Sequence, residues 1–283
     1  MRLRSRFANP WGRTRFLWVV AIGYVVWTLI PVFYAVVFSF NSIRSITRWE
    51  GFSLRWYTWD PNLSVLHDQN LRHAIVQSLK LSSLTAIVSV VVGVAFALAL
   101  NRWHGRASAT SNFIMMFSFV TPELILAVSL FLMFSWGPFK RLLGLGTGAQ
   151  LSGLVILALA YPVVIVRARL LSLGPSFEEA SMDLGASPVR SLGRVTLPLL
   201  APSIFASFAI VFAITLDDFV MVNQLSRDSG TQTVAMAIYG AARTQAIPAT
   251  NAVGTLMLVV STFIVALAFV AYKWATRGER KAT

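Results

Sequence analysis

The sequence contains no cysteine and only three histidines, which removes several classes of site at the outset. Without cysteine the chain can form neither disulfide bonds nor thiolate metal sites. His67, His73 and His104 lack the spacing typical of metal ligands, so we interpret them as polar loop residues. We therefore expect no metal site in this chain.

A nucleotide-binding loop is also missing from the sequence. Its glycine-rich stretch, residues 144–148, is followed by Gln150 and Leu151, where a phosphate-binding loop would need lysine and then serine or threonine. We therefore expect no cofactor and no catalytic residue. The chain is predicted not to be an enzyme and to depend on other subunits for energy conversion.

Charged residues make up only 12% of the chain, hydrophobic residues make up 56%, and the mean hydropathy is +0.68. A helix needs about 20 apolar residues to cross a bilayer, and nearly uncharged runs of about this length recur along the sequence. We predict an all-α membrane protein with one transmembrane domain, residues 1–283, and about six spanning helices. The predicted spans are 16–40, 81–100, 113–135, 142–166, 203–226 and 251–272.

The net charge of +13 fits a membrane topology better than nucleic-acid binding, because most of the 24 lysines and arginines fall on one side of the predicted spans. Basic residues favour the cytoplasmic side, so both termini are predicted to be cytoplasmic, including the tail 1–15. Residues 41–71 then form a long external loop. Its tryptophans and Tyr57 are interpreted as side chains at the membrane interface.

Residues 174–202, between the fourth and fifth spans, predict a pair of short cytoplasmic helices. Ser176 and Glu179 have the spacing of a capping box, and Gly185 suits a left-handed helix stop. Ser187 and Pro188 are typical of the start of a second helix, which we expect to break near Pro198. Membrane insertion does not require such a pair, so we interpret it as a docking element for a cytoplasmic partner.

This segment resembles the EAA loop of ATP-binding-cassette (ABC) importer permeases. The similarity rests on the run from Glu178 to Ala186, on the Leu197-Pro198 pair and on Pro202, with Ser181 where alanine is usual. The resemblance implies a type I importer fold and a loop that couples to an ATPase. Its coupling residues would be Glu178, Glu179, Ala180, Asp183, Leu184, Gly185 and Ala186.

The same resemblance implies the partners and the location of the protein. It implies a cytoplasmic dimer of ATP-binding subunits that hydrolyses ATP, a second homologous permease subunit, and an external solute-binding protein. The location would be the bacterial plasma (inner) membrane, with lipid around the helices. Four further stretches resemble the second permease of spermidine/putrescine importers, which implies polyamine uptake. They are residues 51–57, 121–123, 215–218 and 251–255.

Three acids lie within the predicted spans, where a charged side chain is costly and usually faces a cavity. We predict that Glu123, Asp217 and Asp218 line the solute pathway, and that Tyr239 contributes a cation–π contact. Phe219 is a second aromatic candidate. The alternative is a structural role for these acids, either capping a broken helix or pairing with an arginine of the partner subunit.

Three other functions compete with polyamine import. The chain could be an ABC permease for another small solute, or a proton- or cation-coupled secondary transporter, which would need inverted repeats and broken helices. It could also be an intramembrane enzyme that uses two acids as a pair. Neither of the last two has a use for the helix pair around Gly185, so the residues favour the ABC permease.

Overall fold

The structure is a computed structural model that describes residues 14–103, 105, 110–111, 113, 115, 120–244 and 247–276. Among these residues five helices are long and apolar enough to cross a membrane, and the apolar helix Glu123–Ser135 is shorter. The helices are α1 (Thr14–Phe38), α2 (Gln69–Arg102), α3 (Glu123–Ser135), α4 (Gly137–Leu142), α5 (Thr147–Ala158), α6 (Ala160–Leu173), α7 (Ser176–Asp183), α8 (Pro188–Ser191), α9 (Leu197–Leu216), α10 (Val220–Gln224), α11 (Val234–Thr244) and α12 (Pro248–Thr276).

Helices α2, α6, α9 and α12 form the centre of the bundle, and α2 packs against both α6 and α9. Small residues allow the close approach of α2 and α6. A Cβ atom added at Gly93 would lie 2.6 Å from the Cγ atom of Pro162. Any residue larger than glycine would therefore force a neighbouring group to move. Leu200 and Val211 of α9 are fully buried in the same bundle. The predicted all-helical fold is confirmed.

Proline breaks the third predicted span. Residues 113–135 were expected to form one helix with Glu123 near its middle, but α3 begins at Glu123, directly after Pro122. Proline disfavours helical geometry in the residue before it, which explains the break. Part of the preceding stretch lies outside the described residues.

The fifth predicted span ends earlier than expected, because α9 ends at Leu216 and the chain turns through Asp217 and Asp218 into α10. The fourth span, by contrast, extends further than predicted. Helices α5 and α6 meet at Leu159, which has helical dihedral angles, and together they cover Thr147–Leu173. The broken ends of α9 and α3 place the intramembrane acids at helix termini rather than within helices.

Residues 41–68 fold into a cap at one end of the bundle, which we call the Trp56 end. Trp56 was expected to lie at a membrane interface, but its side chain is fully buried, and its indole N–H donates to the Asn41 carbonyl at 2.5 Å. It packs into a core cluster with Val65 of the cap and Ala249 of α12. The prediction was therefore wrong for Trp56, because tertiary packing gave its ring an apolar site with a hydrogen-bond acceptor. Trp59, by contrast, is 75% exposed.

A buried carboxylate stabilises the cap. Asp60 forms an ion pair with Arg55 at 2.9 Å, and its Oδ1 atom accepts hydrogen bonds from the backbone N–H groups of Asn62 and Leu63. Burial raises the pKa of the Asp60 carboxyl, but these three donors outweigh burial and leave the pKa below its ordinary value.

The described histidines are polar surface groups. His67 lies in the cap, where its Nδ1 atom shares a hydrogen bond with the Ser64 hydroxyl at 2.8 Å. His73 was expected in a loop but lies exposed in the second turn of α2, because that helix begins twelve residues before the predicted span. His104 lies outside the described residues.

Candidate solute pathway and coupling segment

The turn after α9 brings two of the predicted pathway acids to the end of a helix. Asp217 is the C-terminal cap residue of α9 and is exposed. Asp218 is half-buried, and its Oδ1 atom accepts hydrogen bonds from the N–H groups of Met221 and Val222 at 3.1 and 3.3 Å. Asp218 therefore caps α10, the structural role that the sequence left open.

Glu123 meets Asp218 across the break between the helices. The carboxyl groups of the two acids lie near enough for their negative charges to repel each other. A bound cation would relieve this repulsion. Two acids that are 95 residues apart in sequence therefore form one anionic group at the start of α3.

Asp217 and Tyr239 line a common cavity of about 610 Å³ between α9, α11 and α12. Its other walls are largely apolar and include Leu216, Met257 and Phe219. A few polar groups in the wall of an apolar cavity are the usual arrangement for orienting a small solute. All four predicted pathway residues thus lie around the turn after α9, with Glu123 close to Asp218, and with Asp217 and Tyr239 lining one cavity.

The Tyr239 ring contacts two side chains of the protein. Phe219 packs against it with ring centroids 4.0 Å apart, so the two aromatic candidates form a pair. The Arg243 guanidinium lies 4.5 Å from the Tyr239 ring centroid, and its Nη2 atom donates to the Tyr239 hydroxyl. The sequence analysis missed Arg243, although tyrosine and arginine four residues apart on a helix are neighbours.

Gln150 is a second residue that sequence reasoning missed. Its side chain is fully buried, and its Nε2 atom donates to the backbone carbonyls of Val222 and Thr231 at 2.9 and 3.0 Å. Its Oε1 atom accepts from Gln77 of α2 at 3.2 Å. Gln150 therefore joins α2 and α5 to the segment that follows Asp218. A lone glutamine in an apolar helix was the available signal.

At the opposite end of the bundle, which we call the Glu178 end, the helix pair has the predicted glycine stop. Gly185 has φ +89°, its N–H donates to the Met182 carbonyl at 2.8 Å, and the Ala186 N–H donates to the Ser181 carbonyl at 3.1 Å. These two bonds define a Schellman motif, in which a positive φ favours glycine.

Two details of this segment differ from the prediction. Helix α7 begins at Ser176, but its cap residue is Pro175 and no side-chain cap bond forms, so the predicted capping box is wrong. The Ser187-Pro188 start is present, yet the second helix does not break near Pro198. It continues through a π-helical turn, Leu192–Thr196, into α9, because proline is tolerated in the first turn of that helix.

The tip of this segment is exposed. Leu184 and Val189 are 91% and 80% exposed, and Glu179, Ala180, Asp183 and Gly185 are exposed as well. Ala186 and Glu178 are half-buried. Exposed apolar side chains grouped in this way are typical of surfaces that contact other proteins.

One polar contact connects this segment to α2, and another joins its two helices. Arg102, at the end of α2, forms an ion pair with Glu178 of α7. The hydroxyl groups of Ser181 and Ser191 share a hydrogen bond at 2.5 Å, and Ser191 is fully buried. Ser181, which stands where alanine is usual, therefore joins α7 to α8.

A family model described as the inner membrane component of binding-protein-dependent transport systems matches residues 89–281. The chain belongs to this family. The matched residues contain the three acids, the helix pair and the three helices around the cavity. This result places the chain among inner-membrane transport components and favours the permease over the secondary transporter.

The permease has curated relatives along most of its length. The putrescine transport system permease protein PotI of Escherichia coli is 30% identical over 260 residues, which cover 89% of this chain and 87% of the relative. The spermidine/putrescine transport system permease protein PotC of Haemophilus influenzae is 29% identical over 257 residues, covering 90% and 94%. These relatives are named as permeases rather than as ATPases.

Solved structures show the same fold. A chain of a bacterial ABC transporter that imports the acidic polysaccharide alginate matches with a TM-score of 0.72 at 17% identity, covering 94% of this chain and 97% of that chain. A chain of the MetNI methionine ABC transporter matches with a TM-score of 0.62 at 19% identity, covering 73% and 96%. The protein is an ABC importer permease with the type I fold.

Proposed function

We propose that this permease imports polyamines such as putrescine or spermidine, as half of a pathway that it forms with a second, homologous permease. The similarity to the putrescine permease PotI over 89% of the chain carries this proposal. The position of the acids supports it. Three carboxyl groups lie around one turn, and one of them faces a cavity that Tyr239 also lines.

The acids would replace the hydration that an organic cation loses on entering the pathway. Asp217, in the wall of the cavity, would receive one ammonium group of the substrate. The Glu123–Asp218 pair would receive a second, because a cation relieves the repulsion between two carboxylates. A flexible diamine matches separated carboxyl groups better than a compact monovalent cation does.

Uptake of radiolabelled putrescine by cells that express the complete transporter tests the substrate. We expect Glu123→Gln and Asp217→Asn to lower uptake at subsaturating putrescine about tenfold, which corresponds to a loss of about 1.4 kcal/mol of stabilisation of the bound cation. Glu50→Gln is the matched control, because Glu50 is an exposed acid paired with Arg48 in the cap.

Three results bear on this test. Wild-type rates in both pathway variants would assign the acids a structural role. A transporter that carries a neutral or anionic solute and no polyamine would refute the substrate. A control variant that loses as much activity as the pathway variants would mean that cap folding limits uptake.

The helix pair at the Glu178 end is proposed to dock on a separate cytoplasmic ATP-binding subunit, which would hydrolyse the ATP. Glu178, Glu179, Ala180, Asp183, Leu184, Gly185 and Ala186 would form the contact. The exposed tip at Leu184 and Val189 is the apolar part of that surface.

Gly185→Val tests the docking surface, with Gly193→Val as a control. A Cβ atom meets nothing within 4 Å at either glycine, and only Gly185 has a positive φ. We expect Gly185→Val to lose co-purification of the ATPase and transport-coupled ATP hydrolysis, while Gly193→Val keeps both. Normal coupling in Gly185→Val would place the docking site elsewhere.

Both termini are proposed to be cytoplasmic and the Trp56 end external, where a solute-binding protein would dock. A reporter that is active only in the cytoplasm should be active after Thr283 and silent after Asn62. The reverse pattern would invert the topology. The N-terminal tail, residues 1–15, would then be external as well.

A further inference from the structure

The Tyr239 ring already makes a cation–π contact with a cationic side chain of the protein. Arg243 places its guanidinium 4.5 Å from the ring centroid and also donates to the phenol oxygen. Phe219 packs on the same ring. An ammonium group entering the cavity beside Asp217 therefore meets an aromatic ring that a guanidinium already contacts.

Arg243 is placed so that it can leave this position. It lies in the last turn of α11, four residues after Tyr239, and its side chain is exposed. A long, flexible side chain at a helix end can rotate into water without moving the backbone, so the guanidinium is exchangeable with a cation from solution.

We propose that Arg243 is a selectivity residue of the pathway. Its guanidinium occupies the cation position at Tyr239 when no substrate is present, and a substrate ammonium group must displace it. This inference rests on the proposed import of organic cations. A diamine held at Asp217 by one ammonium group can displace Arg243 with the other, whereas a monoamine has a single charge for both positions. Arg243 therefore favours diamines over monoamines.

The proposal is tested by equilibrium binding of radiolabelled putrescine. The permease–ATPase complex is placed in lipid nanodiscs, and the external binding protein is left out. Omitting the binding protein makes the measured Kd that of the membrane site. We expect Arg243→Gln to lower the Kd about two- to fivefold, as expected when a competing cation–π contact at an exposed site is removed. Arg243→Lys keeps a cation at this position and should retain the wild-type Kd within about twofold.

Two further variants separate displacement from a general charge effect. Arg227→Gln removes the same charge from an exposed arginine that lines a different cavity, and it should leave the Kd unchanged. In a Tyr239→Leu background, Arg243→Gln should have no effect on the Kd, because the ring over which the cations compete is gone. Competition with butylamine, a monoamine, provides a second measurement, in which Arg243→Gln should narrow the preference for putrescine.

An unchanged Kd in Arg243→Gln would overturn the proposal, as would an equal effect of Arg227→Gln or an unchanged preference over butylamine. Uptake by the complete transporter decides the proposed function separately. Polyamine uptake together with an unchanged Kd in Arg243→Gln overturns this inference alone. Absence of polyamine uptake by the wild type overturns the proposed function and this inference with it.

Discussion

Replacing Gln150 by leucine should loosen the segment that carries Asp218 while leaving the helical bundle assembled. Gln150 donates to the Val222 and Thr231 carbonyls and accepts from Gln77, and its side chain is fully buried. Leucine has a similar volume and lacks hydrogen-bonding groups. Both carbonyls would therefore lose their side-chain donor in a region that water does not reach.

The magnitude follows from the number of groups left unpaired. A buried polar group without a partner costs about 1–3 kcal/mol, and hydrogen bonds between helices in membranes contribute about 0.6 kcal/mol on average. The Gln77 amide keeps the Thr147 hydroxyl as an acceptor, so two carbonyls are left unpaired. They correspond to a loss of about 2–6 kcal/mol in the free energy of unfolding. Because the lost bonds hold the chain after Asp218, we expect putrescine uptake to fall as well.

Reversible unfolding of the purified protein in mixed micelles measures the loss, and hydrogen exchange over residues 220–231 locates it. Ser152→Ala is the matched control, since the Ser152 hydroxyl donates only to the Gly148 carbonyl of its own helix. If the free energy of unfolding of Gln150→Leu fell no further than that of Ser152→Ala, the buried amide would not position this segment. Faster exchange confined to other helices would contradict the proposed location.

Three further predictions concern packing and charge. Trp56→Ala should cost about 3–5 kcal/mol and expose the cap to external protease, since it empties a fully buried site; an unchanged digestion pattern would contradict this. Gly93→Ala should lower the free energy of unfolding by about 1–3 kcal/mol, because the added Cβ atom would overlap Pro162. Gly23→Ala should be neutral, since a Cβ atom there meets nothing within 4 Å. Equal effects of the two variants in thermal unfolding would refute the close approach of α2 and α6. Asp60→Asn should destabilise the cap at neutral pH. The folded-state pKa of Asp60 is lowered, so the extra stability of the wild type over Asp60→Asn is complete above the ordinary pKa of 3.8 and disappears as pH falls through the folded pKa. Unfolding measured as a function of pH would detect this loss. If the wild type remained more stable in strong acid, the Asp60 carboxylate would not be the source of the difference.

The helices themselves follow from local composition. Long apolar runs predict spanning helices because backbone polar groups in a bilayer must be paired within the segment, and this requirement holds whatever the neighbours are. The stop at Gly185 was equally predictable, since a positive φ depends on the residue type at one position. The EAA-like run around it also indicated the family.

Contacts between distant parts of the chain were decided by the tertiary structure alone. The Glu123–Asp218 pair, the amide of Gln150 between α5 and the segment after Asp218, and the burial of Trp56 each join residues that no local pattern relates. Their geometry depends on how the helices pack, and packing depends on side-chain shape over the whole bundle. The sequence by itself determined that three acids lie in apolar surroundings, whereas the broken ends of α3 and α9 determined which of them meet.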